Sequence, residues 1–211
     1  MTHTLHRQGT VENLSCDFPM HAMPAVGFNK EGCEPKLRQF WDIAQKHRPV
    51  NLGEGKSGNW FGHPVEELRT KLSTITHAVY TSEEHLTGLL RDLKEADIGM
   101  SITMSGLMDR LFACCGQAGV KPYAIEHSLK ILGDTSGLPD PKVMEMTTMC
   151  GHAMVSRGLV YILVEKIKKG EMTPDQAGIE LSKPCQCGIF NPMRAARLLE
   201  EFCALYCIDS V

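Results

Sequence analysis

Apolar residues recur at helical spacing along most of the chain after residue 33. Between Glu34 and His47, the side chains of Leu37, Phe40 and Trp41 share one helical face, and Pro49 follows as a stop signal. The same spacing predicts further helices from Pro64 to about Tyr80, from Ser82 up to Asp97, from Ser105 to Gln117, from Pro141 to Lys169, from Thr173 to Leu181 and from Pro192 to Tyr206. The pattern is typical of a mostly helical protein.

The segment from Pro141 to Lys169 is apolar on nearly all sides, which favours a long central helix. Residues 1–33 have no helical period, and we interpret them as an irregular N-terminal arm with one or two short strands. Residues 97–103 are a further candidate for a short strand, and the glycine-rich residues 51–59 are expected to form a loop. The predicted fold is mostly α: a single helical domain, residues 34–211, preceded by the arm.

Composition places the chain among ordinary globular proteins. It has 211 residues, of which 43% are apolar and 22% charged, so the length fits one domain with a full hydrophobic core. A net charge of -3 argues against a nucleic-acid partner or a membrane-surface protein. No apolar run has the roughly 18 residues of a membrane span, and Met1 to His6 do not resemble a signal peptide. A cytoplasmic location is expected, and so few charges are compatible with a homodimer.

The nine cysteines are the main chemical signal. They are too sparse for a disulfide scaffold, so in a cytosol they favour metal ligands, catalytic thiols or small core residues. The strongest pattern is Cys185-Gln186-Cys187-Gly188, directly before the predicted last helix. Two thiolates one residue apart can turn toward one metal, Gly188 allows a close backbone approach, and the helix N-terminus favours negative charge.

Further ligands are expected from Cys150, which has Gly151 beside it, and from either Cys114 or Cys115. Together with Cys185 and Cys187 these give four thiolates, the usual set for an iron–sulfur cluster and also for structural zinc. Zinc sites usually draw paired ligands from compact knuckles. The wide spacing therefore favours iron–sulfur, with [4Fe–4S] as the expected cluster and zinc as the alternative. The competing interpretation is that Cys114, Cys115 and Cys150 are core residues.

Two more residues are candidates for function. His152 follows Cys150 by two positions, about 200° around a helix, so it does not easily bind the same ion. It is either a structural histidine of the core or a proton donor beside the cluster. Lys56 lies in a glycine-rich segment that lacks the P-loop pattern, because Val50 stands where a glycine is required. The segment is still expected to hold an anion through its amides and Lys56. Weaker metal or redox candidates are His3, His6, Cys16 and Cys33.

The sequence therefore predicts an iron–sulfur protein that acts in electron transfer or in redox chemistry on a small ligand. Its partner would be a redox protein or a small-molecule substrate, and whether it is itself an enzyme stays open. One alternative is a structural zinc module that acts through protein interaction. Another is a metal-free thiol oxidoreductase that uses Cys185 or Cys187 for exchange chemistry.

Overall fold

A five-stranded antiparallel sheet lies at the centre of the protein, whose computed structural model describes residues 4–205. The strands are β1 (Phe18–Met23), β2 (Asn51–Glu54), β3 (Gly58–Asn59), β4 (Thr76–Tyr80) and β5 (Ser101–Met104), in the order β3-β2-β4-β1-β5. His77 of β4 lies opposite His21 of β1 on one side and opposite Gly53 of β2 on the other. This register brings the glycine-rich segment next to the middle of the sheet.

Nine helices accompany the sheet within residues 4–205. They are α1 (Val11–Leu14), α2 (Glu34–Lys46), α3 (Val65–Thr70), α4 (Glu83–Ala96), α5 (Met108–Ala118), α6 (Pro141–Thr147), α7 (Arg157–Lys168), α8 (Pro174–Ser182) and α9 (Pro192–Leu205). None of them is long and apolar enough to cross a membrane. Helices α2, α4, α5, α8 and α9 lie close to their predicted positions, and α8 begins with the capping box formed by Thr173 and Gln176.

The prediction of a mostly α fold with one or two short strands is wrong. The chain is mixed α/β, 45% helical with a five-stranded antiparallel sheet. The predicted irregular arm supplies β1, which pairs with β4 on one side and β5 on the other. The predicted helix from Pro64 to Tyr80 ends at Thr70, and its second half is β4. All five residues of β4 are buried, so the strand shows no alternation of polar and apolar positions.

The predicted long central helix is also wrong, because residues 148–156 separate α6 from α7. Two local features explain the break. Ala153 has a φ of 56°, which a continuing α-helix does not allow. The hydroxyl of Ser156 accepts a hydrogen bond from the amide of Leu159 and so begins α7 as a new helix. Cys150 and His152 consequently lie in a loop.

Two apolar clusters cover the two faces of the sheet. Phe18 and Met20 of β1, with Ala78 of β4, pack against α2, α4 and α5. Val79, the next residue of β4, belongs to a second cluster with α6, α7, α8 and α9. Successive residues of a strand point to opposite faces, so the protein has three layers, with helices on both sides of the sheet. The second helical layer contains Cys150, Cys185 and Cys187.

Candidate functional site

Three of the predicted metal ligands meet in the second helical layer. Cys150 comes from the loop between α6 and α7, and Cys185 and Cys187 come from residues 183–191, between α8 and α9. The Sγ atoms of Cys185 and Cys187 are 3.9 Å apart, and the Cys150 thiol is hydrogen-bonded to Cys185. Their exposed fractions are 3%, 0% and 2% in chain order. We call these three residues the thiol cluster.

His152 lies at the edge of the thiol cluster. Its Nδ1 is 3.8 Å from the Sγ of Cys187, while the residue as a whole is exposed to solvent. The sequence-based objection to a shared site assumed a helix at Cys150 and His152, and the loop removes it. His152 can therefore supply a nitrogen ligand to a centre built on the three thiols.

The spacing within the cluster resembles that of ligands around one metal ion. With metal–sulfur bonds of about 2.3 Å, two thiolates on a tetrahedral ion lie roughly 3.8 Å apart, against 3.9 Å for Cys185 and Cys187. The contacts nevertheless run in a chain, from Cys150 to Cys185, to Cys187 and to His152. Across residues 4–205, no three His, Cys, Asp or Glu side chains are placed to hold an ion as they stand. Binding a metal would require the thiols to move.

Hydrogen bonds between the three thiols give them different pKa values. The hydrogen bond to Cys185 and burial raise the pKa of Cys150 far above its ordinary value. The bond from Cys150 lowers the pKa of Cys185, but the bond to Cys187 and burial outweigh it and raise that pKa to about 12. Cys187 accepts from Cys185, and this bond lowers its pKa in spite of burial. Cys187 is therefore the thiol of the cluster that ionises first.

The loop that carries Cys185 and Cys187 is docked on the β2–β3 hairpin through two glycines. A Cβ added to Gly188 would lie 2.6 Å from the Gly53 nitrogen, and one added to Gly53 would lie 2.5 Å from the Cys187 carbonyl oxygen. Gly188 also has a φ of +76°, which favours glycine. The predicted close approach at Gly188 thus has a definite partner, which is the backbone of β2.

Asparagine side chains complete this docking. The Nδ2 of Asn59 donates to the carbonyl oxygen of Cys185 at 2.8 Å, and the Nδ2 of Asn51 donates to that of Phe190 at 2.9 Å. Both asparagines are almost fully buried, at 1% and 0% exposure. Sequence reasoning missed these two residues and Gly53. The available signal was the pairing of glycines and asparagines within residues 51–59, which marks a tight hairpin as well as a loop.

Lys56 lies in the turn of this hairpin, with its side chain in solvent. The amides of Lys56 and Ser57 each donate to Oε2 of Glu54 at 2.8 Å. The amides that were predicted to hold an anionic ligand therefore hold the carboxylate of Glu54. The Lys56 carbonyl oxygen accepts a hydrogen bond from Gln186, so the turn contributes to docking the cysteine loop.

Cys114 and Cys115 do not join the thiol cluster. They lie on α5, in the apolar cluster on the opposite face of the sheet. The Cys114 thiol donates to the carbonyl oxygen of Glu83, and burial raises the pKa of Cys115. Of the weaker candidates, Cys33 is buried at the start of α2, Cys16 lies beside Arg197, and His6 contacts Ser128. His3 and Cys207 lie outside residues 4–205.

Buried charges tie the N-terminal segment to the cysteine loop. Asp17 is bonded to both Arg7 and Arg194, and Asn191 donates to its Oδ1 at 3.1 Å. Arg7 also donates to the carbonyl oxygen of Ile189. Burial raises the pKa of Asp17, but the two guanidinium groups outweigh burial and hold it below its usual range. Arg7 also contributes to the lowered pKa of Cys187.

A surface cavity of about 360 Å³ opens next to the thiol cluster, on the side of Cys150. It is lined by residues of the α6–α7 loop and its surroundings, namely His6, Pro139, Thr147, Thr148, Cys150, Gly151, Ala153, Val155 and Arg157. A small molecule could therefore reach the neighbourhood of Cys150 from solvent.

Comparisons with protein-family models, with curated proteins and with solved structures gave no match for this chain. The function of the protein is therefore inferred from the chemistry of the thiol cluster and its surroundings. Buried thiols beside an imidazole can bind a metal or metal cluster or exchange disulfides, and buried cysteines also serve as small core residues.

Proposed function

We propose that this protein binds an iron–sulfur cluster through the thiolates of Cys150, Cys185 and Cys187, and uses it in electron transfer or in redox chemistry on a small ligand. The observation that supports this proposal is the meeting of three buried thiols from two separate loops. With three cysteine ligands, one iron of a [4Fe–4S] cluster is left to His152 or to an external ligand.

A cluster needs more room than the thiols now leave. Each thiolate of a [4Fe–4S] cluster binds a different iron, so the sulfurs must lie further apart than the 3.9 Å between Cys185 and Cys187. Residues 151–154 are exposed, so this loop can move outward and carry the Cys150 thiol with it. The hairpin holds the backbone of residues 183–191 through Gly53 and Asn59, so the sulfurs of Cys185 and Cys187 would separate by side-chain rotation.

The surroundings suit a buried anionic centre. Met149, Ile189 and Phe190 are fully buried and belong to the same apolar cluster as the thiols. The positive charge of Arg7 favours ionisation of Cys187. An iron–sulfur cluster would supply one-electron chemistry, and its potential would depend on this burial and on hydrogen bonds to the sulfurs.

A single zinc ion is the second candidate. The two distances of 3.9 Å and 3.8 Å from Cys187, to Cys185 and to His152, resemble those in a tetrahedral site with three cysteines and one histidine. Such a closed site would stabilise the packing of the two loops and would leave the protein to act through interaction with a partner.

Metal analysis of protein purified without oxygen tests both candidates. We expect brown protein that contains iron and acid-labile sulfide in equal amounts. The variants Cys150→Ala, Cys185→Ala and Cys187→Ala should each lose most of the iron. Cys114→Ala and Cys115→Ala also remove a buried thiol, but on the other face of the sheet. These two variants should retain the iron.

Other results would point elsewhere. Zinc without sulfide would establish the second candidate and reject the first. Protein free of both metals that forms a reversible disulfide between Cys185 and Cys187 would reject both and favour thiol exchange. Loss of iron from Cys115→Ala with unchanged iron in Cys150→Ala would contradict the ligand set proposed above.

A further inference from the structure

We infer that the cavity beside Cys150 binds a small oxyanion, a carboxylate or a phosphate. That the oxyanion is the small ligand on which an iron–sulfur cluster acts rests on the proposed function. Binding of the oxyanion to the cavity does not depend on that function. The inference follows from the size of the cavity, from the charges that line it and from its contact with Cys150.

The cavity fits a small ligand. Its volume of about 360 Å³ is at the lower end of the roughly 300–1,000 Å³ of ligand sites in proteins. Its wall includes Thr147, whose hydroxyl can donate to an oxygen-rich ligand, whereas the hydroxyl of Thr148 already donates to the Met144 carbonyl oxygen.

The charged side chain in the cavity wall is positive. It is that of Arg157, and among the described residues no Asp or Glu lines the cavity. This is the reverse of the chain as a whole, in which 25 acidic residues outnumber 22 basic ones. A wall that carries a positive charge and no carboxylate raises the local concentration of anions.

Arg157 is the main recognition group. It is the first residue of α7 and is exposed, and within residues 4–205 it has neither an ion pair nor a side-chain hydrogen bond. Some of the other described arginines are held by carboxylates, as Arg69 is by Asp42 and Arg110 by Glu83, whereas Arg157 is open to a ligand and lines the cavity. A guanidinium without a carboxylate partner is suited to bind an oxyanion through two parallel hydrogen bonds, and the positive end of the helix adds to the attraction.

The position of the cavity relates the anion to the thiol cluster. Cys150 lines the cavity and also contacts Cys185. An anion bound here lies beside the cluster, and Arg157 offsets the repulsion between the anion and the thiolates.

Calorimetric titration tests this inference, with inorganic phosphate and with succinate as separate probes at constant ionic strength. We expect one saturable site per chain. Arg157→Gln should weaken binding about tenfold or more, as expected for the loss of a charged hydrogen-bond donor. Arg157→Lys should bind with intermediate affinity. Arg110→Gln removes the same charge on the opposite side of the sheet and should leave the affinity unchanged.

The two probes and two forms of the protein separate the outcomes. Binding of phosphate alone or of succinate alone identifies the oxyanion, and either result supports the inference. Absence of binding for both probes, or equal affinity in wild type and Arg157→Gln, overturns it. Titrations are run on protein as purified and after chelation, so anion binding by protein without metal would support this inference while the proposed function fails.

Discussion

At the scale of single residues, Asp17 connects the N-terminal segment to residues 191–194, which are distant in sequence. It is fully buried and bonded to Arg7 and Arg194, which are themselves almost fully buried. Removing one partner of a buried ion pair leaves an uncompensated charge, which costs far more than the loss of a surface pair. Because Arg7 also contacts the cysteine loop, the charge on Asp17 helps to hold the thiol cluster together.

We predict that Asp17→Asn lowers the free energy of unfolding by about 3 to 5 kcal/mol. The matched control is Asp42→Asn, which breaks a bidentate but half-exposed pair with Arg69 and should cost about 1 kcal/mol or less. Urea denaturation at neutral pH measures both. Equal effects of the two variants would show that Asp17 has no special role.

Comparison of wild type with Asp17→Asn also tests how the contribution of Asp17 to stability depends on pH. The folded-state pKa of Asp17 is lowered, so its contribution to stability is complete above the unfolded value of about 3.9 and is lost as the pH falls through the folded value. The difference in stability between wild type and Asp17→Asn should therefore be constant near neutral pH and shrink only at strongly acid pH.

At the scale of secondary structure, the loop between α6 and α7 decides whether Cys150 and His152 can share a site. Ala153 adopts a positive φ of 56°, which costs an alanine about 1 to 2 kcal/mol relative to helical backbone. Glycine has no such penalty, although its greater freedom in the unfolded chain cancels part of the gain.

We predict that Ala153→Gly raises the free energy of unfolding by about 0.5 to 1 kcal/mol. Ala113→Gly, at an exposed position inside α5, should instead lower it by about 1 kcal/mol. A continuous helix through residue 153 would make both substitutions destabilising. Thermal or urea unfolding of the two variants thus distinguishes the observed loop from the helix that the sequence favours.

The sequence predicts elements well where one face is apolar and the other polar. The positions of α2 and α4 follow from this amphipathic pattern. Ser82 is the N-cap of α4, where its side chain accepts a hydrogen bond from the amide of His85. The strand β4 is buried on both faces and β3 has only two residues, so neither shows a period. Their identity depends on partners elsewhere in the chain, which a local pattern does not contain.

Some residues of the candidate site are also predictable from local sequence, whereas others depend on the folded structure. Local chemistry identified Cys185, Cys187 and Gly188, since the motif and its glycine are adjacent in sequence. Cys150 was found through its neighbouring glycine, but Asn59 and Gly53 act only through the folded backbone. Cys114 and Cys115 resembled ligands in sequence, and the sheet that separates them from the thiol cluster could not be foreseen.

At the scale of the whole molecule, one long segment joins the two helical layers. Residues 120–140 contain no helix or strand and are mostly exposed, including Leu129 at 77% and Leu132 at 78%. The second layer is held to the sheet and to the N-terminal segment by other contacts, among them Asn59 with the Cys185 carbonyl and Asp17 with Arg194. The folded protein should therefore stay intact when the chain is cut within residues 120–140.

We predict that trypsin first cuts after Lys130, which is exposed and lies in this segment, and that the two fragments stay together. Limited proteolysis followed by size-exclusion chromatography should show a nicked protein with the elution volume of the intact one, and urea should separate its fragments. Lys130→Gln should delay the first cut. Fragments that separate under native conditions would contradict the packing of both layers on one sheet.

The mutual contact of Gly53 and Gly188 has a consequence for the search for relatives. A methyl group at either position collides with the backbone of the other, so a second substitution adds little to the damage of the first. We therefore expect the two positions to covary, although 134 residues lie between them in the chain. A signature that combines Gly53 and Asn59 with Cys185, Cys187 and Gly188 describes an interlocked pair of segments, and should discriminate better than the short cysteine motif by itself.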